Sequence, residues 1–282
     1  MDMQMNATLS KAFWDVVRPL HRPLTTLLRK RLGREYIWHP EMELPPAYEA
    51  VQLEVERRLH CYLHVPTEKI EQIVIVGASD GGEISRLRCA YPRSRFLCFE
   101  PSPGGYKKLT ENFRGFEFFE SRELALSESS GTAIFHELPL AGNGSLLPPD
   151  MAKWSKFNKV EGNEVISFQV KVSTLDTETE GLDKIDLLWM DVQGAEGDVL
   201  KGGTKTLRRV AAVFLEVALV DSPYHGTVLF PELDAMLQDF GFCCVGLGID
   251  GWNYSGNALW VRDVARRSVY PGYTSANTDA NV

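Results

Sequence analysis

No apolar run in the 282 residues is long enough to cross a bilayer: the longest, Ala211 to Val220, is interrupted by Glu216. A spanning helix needs about 20 predominantly apolar residues. The N-terminus carries no secretory signal pattern. Cysteine is sparse and odd in number, with five residues (Cys61, Cys89, Cys98, Cys243 and Cys244) and no Cys-x-x-Cys pair of zinc spacing. Set mostly in apolar runs, these thiols read as free and buried in a reducing compartment. A soluble, cytoplasmic protein with no transmembrane segment is the expectation. Positive charge is in deficit too. Thirty Lys and Arg against 38 Asp and Glu leave a formal net charge of −8, so the molecule as a whole repels phosphate backbones and nucleic acid is not an expected partner. No internal repeat is present.

Against these absences stands Gln72-Ile-Val-Ile-Val-Gly-Ala-Ser-Asp-Gly-Gly-Glu83. Four β-branched residues, Ile73 to Val76, run into a glycine-rich turn, the pattern of a buried parallel strand that delivers backbone to a ligand. Nineteen residues past Gly81, a second apolar run, Phe96-Leu-Cys-Phe-Glu100, ends in a carboxylate. A carboxylate there can accept both hydroxyls of a ribose, which points to a nucleoside cofactor. A dinucleotide turn needs Gly-x-Gly-x-x-Gly, its middle glycine letting backbone touch pyrophosphate. Gly77 and Gly82 fit the ends of that pattern, but Ser79 holds the middle. Its Cβ crowds a pyrophosphate, whereas S-adenosylmethionine has a ribose and no phosphate. The turn therefore favours a methyl donor over NAD.

Further segments extend the pattern: Phe99-Glu-Pro101, Ala125-Leu-Ser127 with Gly131, Leu175-Asp176, Ile185-Asp-Leu-Leu-Trp-Met-Asp-Val-Gln-Gly-Ala-Glu196, Val199-Leu-Lys-Gly-Gly203, Phe214-Leu-Glu-Val217 and Leu229-Phe-Pro-Glu-Leu233 before Phe240-Gly-Phe242. With the turn Gly77-Ala-Ser-Asp-Gly81, these resemble the FkbM family of S-adenosylmethionine-dependent methyltransferases, in order, over residues 70 to 262. The resemblance implies a Rossmann-like class I methyltransferase fold: a doubly wound, mainly parallel sheet with antiparallel terminal strands. It assigns the cofactor to Gly77, Ala78, Ser79, Asp80 and Gly81 of the turn, then to Glu100, Pro101, Ser102, Leu126, Ser127 and Asp191. It also implies O-methyl transfer to a hydroxyl of a sugar, glycan or natural product. Two positions depart from the family: Ile75 replaces a frequent acidic residue on the first strand, and Trp189 a frequent Lys.

Three zones follow from composition. Residues 1–66 show helical spacing, first from Leu9 to Leu28 around Pro19 and Pro23, then a helix whose apolar face is Tyr48, Val51, Val55, Leu59 and Tyr62. Residues 67–267 are the stretch expected to form the methyltransferase domain that the resemblance implies. Strands are predicted at 72–76, 96–100, 186–191 and 211–218, and helices at 82–90, 103–113, 195–208 and 229–240. An antiparallel pair is expected at Thr132–His136 and Val165–Val172, with Pro139 to Glu164 as a loop or lid. Two strands end the domain, between Phe242 and Val261. Residues 268–282 are polar and unpatterned, and disorder is expected. The first 34 residues hold seven Lys or Arg against two Asp, a net of +5. That stripe suits packing on the domain or on a partner subunit; the alternative is weak contact with an anionic membrane surface.

Asp191 falls at the C-terminal end of a buried strand, where ligands collect in open α/β sheets. N-capping of the following helix is its plain alternative. Glu216 lies inside an apolar strand, and a carboxylate there is costly unless paired. If the two strands are neighbours, the pair can share a proton or a divalent cation. His225 follows on a loop and is the alternative base. Trp189 reads as core. Glu196 reads as a first-turn acid that suits the helix dipole, and His60 and His64 as structural. Asn143-Gly-Ser145 suits either a turn or a ligand contact. The sequence thus points to a methyltransferase with catalytic candidates Asp191, Glu216 and His225. An NAD-dependent oxidoreductase and a non-catalytic cofactor-binding module are its rivals.

Overall fold

The computed structural model describes residues 35–37, 55–140, 142–158, 164–219, 221–249 and 255–262. The expectations for the basic segment before residue 35 and for the tail after 267 lie outside the described residues. The molecule is built on an eight-stranded sheet. At its centre lie β2 (Gln72–Val76) and β8 (Ile185–Met190), parallel neighbours in which Ile73 pairs with Leu187 and Val76 with Met190. Every residue of β8 is buried, and so is all of β2 after Gln72. Both faces are covered, which is why these strands read as continuous apolar runs rather than alternating ones.

Outward from β2 come β3 (Arg95–Phe99) and β4 (Phe119–Arg122), both parallel. On the other side of β8 come β9 (Val210–Ala218), then β11 (Ser255–Arg262), antiparallel to both its neighbours, then β10 (Phe242–Ile249). The chain therefore winds out from β2 in one direction, returns, and winds out from β8 in the other. The reversal sits between β2 and β8, and the crevice beyond their carboxyl ends is the switch point where such sheets bind ligands.

Helices cover both faces. On one, α1 (55–62), α2 (Gly82–Ala90) and α3 (Pro103–Asn112) place Val55, Leu59, Ile84, Leu87 and Leu109 against Ile73, Ile75, Phe96, Trp189 and Phe214. Ile75 is fully buried there. On the other face, α6 (Glu196–Lys201) and α7 (Phe230–Asp239) cover Val74, Leu188, Val213 and Leu215 with Val199, Leu200, Leu233 and Leu237. Between β4 and β8 the chain inserts a three-stranded sheet of β5 (Ala125–Leu126), β6 (Gly131–Glu137) and β7 (Ile166–Ser173). The expected antiparallel pair is β6 with β7. Two short helices complete the insertion, α4 (Met151–Asn158) and α5 (Leu175–Glu178).

Five local expectations change. The helix predicted over 195–208 stops at Lys201 and resumes as a 3-10 turn, Thr206–Arg209. Gly202 is the reason: a Cβ there would stand 2.1 Å from the Ser127 carbonyl oxygen, and the Asp176 carboxylate accepts the Thr206 N–H at 2.7 Å to start the next turn. The stretch 139–164 is not all loop, since it holds α4, whose fully buried Trp154 packs with Leu138 and Tyr224. β4 gave no signal because none of its four residues is fully buried. Residues 35–37, read as part of a strandless zone, form β1 (Glu35–Ile37), parallel to β10; three residues are too few to show a period. Of the cysteines, all free, Cys98 and Cys244 are buried, but Cys61 and Cys89 are exposed.

Candidate active site

The turn after β2 is shaped by what it must touch. Gly77, Ser79 and Gly81 all adopt positive φ, at 81°, 47° and 87°. A Cβ on Gly77 would lie 1.9 Å from the backbone oxygen of Asp191, so only glycine lets the two central strand ends meet. The N–H groups of Gly77 and Ala78 both donate to the Phe99 carbonyl, at 2.9 and 3.0 Å. That bond draws the turn across the end of β3 and brings it to Glu100.

Glu100 is 6% exposed. Its Oε2 accepts the Ser79 N–H at 2.7 Å and its Oε1 accepts the Ser102 N–H at 2.8 Å. Burial pushes the carboxyl up to about 7, against the pull of those two bonds. The first turn of α3 leaves the carboxylate uncovered, for a Cβ on Gly105 would come within 3.0 Å of Glu100 Oε1. The Ser102 hydroxyl accepts the Gly105 N–H at 3.2 Å and donates to Glu137 Oε1 at 2.7 Å, tying the small sheet to the same wall. The cleft between these parts has a volume of roughly 950 Å³ counted to its open mouth.

Beside it lies a network of acids. Gln193 donates through Nε2 to Asp191 Oδ1 at 2.7 Å and to Glu216 Oε2 at 2.8 Å. Asp191 and Glu216 are also hydrogen-bonded to each other. Burial pushes the Asp191 carboxyl up, while the bonds from Gln193 and with Glu216 hold it down. Two carboxyls so close share a proton rather than both ionising. The Tyr224 hydroxyl lies 3.2 Å from Gln193 Oε1 and 2.9 Å from the Asn143 carbonyl; burial and the charges of Glu216 and Asp191 keep it protonated. Gln193 reaches this position through a φ of 54°. The Ser145 hydroxyl pins the loop from the other side by donating to the Gln193 carbonyl at 2.9 Å. A second, smaller cleft opens on this network, with Glu216, Tyr224, Asp221 and Ser255 in its wall.

Of the predicted cofactor residues, Gly77, Ser79, Asp80, Glu100, Pro101, Ser102, Leu126 and Asp191 line the first cleft. Ala78 is fully buried beneath the turn, and Gly81 is the N-cap of α2. Ser127 presents its carbonyl to Gly202 instead. Asp191 and Glu216 do meet, on the neighbouring strands β8 and β9. His225 does not join them: it is exposed, lines neither cleft, and is held by its backbone N–H on the Pro148 carbonyl at 2.9 Å. Its neighbour Tyr224 and the loop residue Gln193 are in the network instead, and sequence reasoning named neither. The positive φ of Gln193 has no sequence signal, but a Gln between two carboxylates in one motif was a usable clue. Asn143-Gly-Ser145 acts as a partition, with Gly142 and Gly144 on the first cleft and Asn143 on the second. Trp189 is core, its ring 4.3 Å from that of Phe214. Glu196 does more than face a helix dipole: it accepts the Val192 N–H at 3.1 Å, and burial lifts its carboxyl to about 7. Among the described residues no group of three His, Cys, Asp or Glu side chains could hold a metal ion, and no helix is long and apolar enough to cross a membrane.

A doubly wound sheet with a glycine turn at its switch point, a carboxylate closing the next strand and antiparallel strands at the far edge is a Rossmann-like class I methyltransferase fold. The family model of the Methyltransferase FkbM domain matches residues 76–244, and the chain belongs to that family. It is 31% identical over 172 residues to the 2-O-methyltransferase NoeI of Sinorhizobium fredii, covering 58% of this chain and 69% of the relative. It is 30% identical over 212 residues to methyltransferase sdnD of Sordaria araneosa, covering 65% and 78%. With the hexuronic acid methyltransferase AglP of Haloferax volcanii the identity is 28% over 141 residues, covering 50% and 54%. Among solved structures, Aeropyrum pernix fibrillarin with bound S-adenosyl-L-methionine is similar at a TM-score of 0.43 and 13% identity, covering 76% of each chain.

Proposed function

We propose that the chain transfers a methyl group from S-adenosylmethionine to a hydroxyl of a sugar or sugar-like small molecule. The observation that carries this reading is Glu100, held at the switch point by the N–H groups of Ser79 and Ser102. An ionised carboxylate offers about four acceptor directions. Two are taken by backbone, which leaves one on each oxygen for the paired hydroxyls of a ribose. The Ser79 N–H, which a dinucleotide site would turn to pyrophosphate, is spent on Glu100. The donor set thus fits a nucleoside without phosphate. Two relatives carry names that speak of 2-O-methyl transfer and of a hexuronic acid, which supports oxygen on a sugar as the acceptor.

Bound in the first cleft, S-adenosylmethionine would supply an activated methyl group for displacement by an oxygen nucleophile. An alcohol attacks only as its proton leaves, so the protein must take that proton and align the oxygen. Asp191, with its pKa raised by burial, is the base, and Glu216 shares the charge that develops. Gln193 holds both carboxylates in one orientation. The partition of Gly142 to Ser145 separates the two clefts and limits water at the junction. Exposed His225 is the lesser candidate.

Calorimetry with S-adenosylmethionine, its demethylated product and NAD, followed by labelled-methyl transfer to a panel of glycosides, tests the reading. Binding of the first two and transfer to oxygen is expected. Tight NAD binding without binding of either methyl-cycle compound would overturn it. Cofactor binding without transfer to any acceptor would leave a binding module instead.

A further inference from the structure

The second cleft has a one-sided charge. Glu196 and Glu216 stand in its wall and Asp221 at its rim, and no described residue lining it is Lys or Arg. At the rim, Lys153 is paired with Asp221, with Nζ to Oδ1 at 2.8 Å. Local charge of this kind sets what a small enclosed site admits, since like charges a few ångströms apart repel strongly where water is scarce.

A second observation concerns Asn257. It is 6% exposed, and its Nδ2 has no hydrogen-bond partner. Asn257 lies directly opposite Glu216 across the β9–β11 ladder, so the two side chains share a face. Ser255, two residues earlier on that face, lines the cleft with Glu216. A buried amide donor is rarely left unmatched. The wall itself offers acceptors, the Glu216 carboxylate and the Asp221 rim, with Asn257 behind it, so a ligand that donates, through a hydroxyl or an ammonium, matches it. An ionised carboxylate ligand has no hydrogen to donate to those acids.

We propose that the second cleft takes the acceptor as a polyhydroxylated molecule that is neutral, or carries an ammonium group, beside the reacting hydroxyl, and discriminates against one with an anionic group there. The inference rests on the sugar-hydroxyl reading above and adds the charge class of the sugar. Ammonium next to the hydroxyl gains from the charge that Glu216 shares with Asp191, neutral rings gain only hydrogen bonds, and anions meet that charge with no lining Lys or Arg to offset it. The order of preference is cation, then neutral, then anion.

The test uses the full chain saturated with the demethylated cofactor, and ligand-observed NMR titrations of methyl glucosaminide, methyl glucoside and methyl glucuronide, which share one ring. The glucuronide is expected to bind at least about tenfold more weakly than the glucosaminide. Asp221→Lys, at a half-exposed rim position outside the acid network, should raise glucuronide affinity about tenfold and lower that of the glucosaminide. A glucuronide that binds as well as the other two to the unaltered protein, or an Asp221→Lys protein with the same order, overturns the charge inference alone. Binding of the cofactor with none of the three glycosides overturns the sugar reading and the inference with it.

Discussion

In the proposed function Glu100 accepts the ribose hydroxyls, which it can do only when ionised, and burial favours its acid form. With the carboxyl pushed up to about 7, the free protein below that pH must give up a proton before it binds cofactor. Affinity for S-adenosylmethionine should therefore fall by about tenfold per pH unit below 7 and level off above it. Calorimetry from pH 5.5 to 8.5 in buffers of different ionisation enthalpy measures both the slope and the proton released. A flat profile would remove Glu100 from the cofactor contact. Glu100→Ala should weaken binding by about 2–4 kcal/mol, because charge-assisted bonds are lost. The acids next door separate by a different readout. Asp191→Asn is expected to lower kcat by roughly 10²–10⁴ with little change in cofactor affinity. Gln193→Leu keeps both carboxylates but frees them to turn, so it should lower kcat by about tenfold to a hundredfold. His225→Ala should do less than either; if it abolished turnover while Asp191→Asn did not, the base would be His225.

At the scale of elements, the glycine turn after β2 is a point of contact between strands rather than slack in the chain. Gly77→Ala would drive a methyl into the Asp191 carbonyl from a backbone of φ 81°, and a loss of about 3 kcal/mol or more is expected in urea unfolding. The start of α6 stores a second, pH-dependent strain. Glu196 has its carboxyl raised from the ordinary 4.5 to about 7 because it is buried. Between those values the folded protein holds more protons than the unfolded chain, so stability falls as pH rises through that window. The limit is about 3 kcal/mol for a shift of this size. Glu196→Gln removes the titration and should flatten the decline, with the largest gain over the parent at about pH 8. Denaturant midpoints at several pH values decide it, and an equally steep decline in the variant would show that Glu196 is not the source. The 3-10 turn after α6 is set the same way, by the Asp176 carboxylate accepting two N–H groups, from Lys205 at 3.0 Å and Thr206 at 2.7 Å.

For the whole molecule, the winding reversal places every strand end that matters on one edge of the sheet, and the inserted small sheet closes over it. The described lining of the first cleft begins at Val76 and ends at Ala195. Removal of residues 1–34 should accordingly leave cofactor affinity within about threefold, while thermal stability or assembly drops, as expected of an apolar stripe that packs. Sedimentation and liposome flotation distinguish the outcomes. Salt-sensitive flotation lost on truncation would assign the segment to a membrane surface instead.

What the sequence determined by itself was everything local or periodic. The central strands were legible because burial on both faces makes them unbroken apolar runs, and Gly82–Ala90 because a glycine turn leads straight into it. Glu100 was legible because its spacing from the turn is a property of one βαβ unit. Only the tertiary structure decided the rest. The three-residue β1 and the half-exposed β4 owe their strand form to neighbours, not to pattern. The meeting of Asp191 with Glu216 depends on β8 and β9 lying side by side. The choice of Tyr224 over His225 turns on a single peptide unit in a loop: the Tyr224 side chain packs inward against Leu138 and Trp154 and leaves the histidine in solvent. Gln193 was hidden for a similar reason, since its hold on both acids exists only where three chain segments converge. Contacts between segments distant in sequence carry no period, so the glycine turn and the place of Glu100 could be read from the chain, the pairing of Asp191 with Glu216 only on the condition that their strands are neighbours, and the parts of Gln193 and Tyr224 not at all.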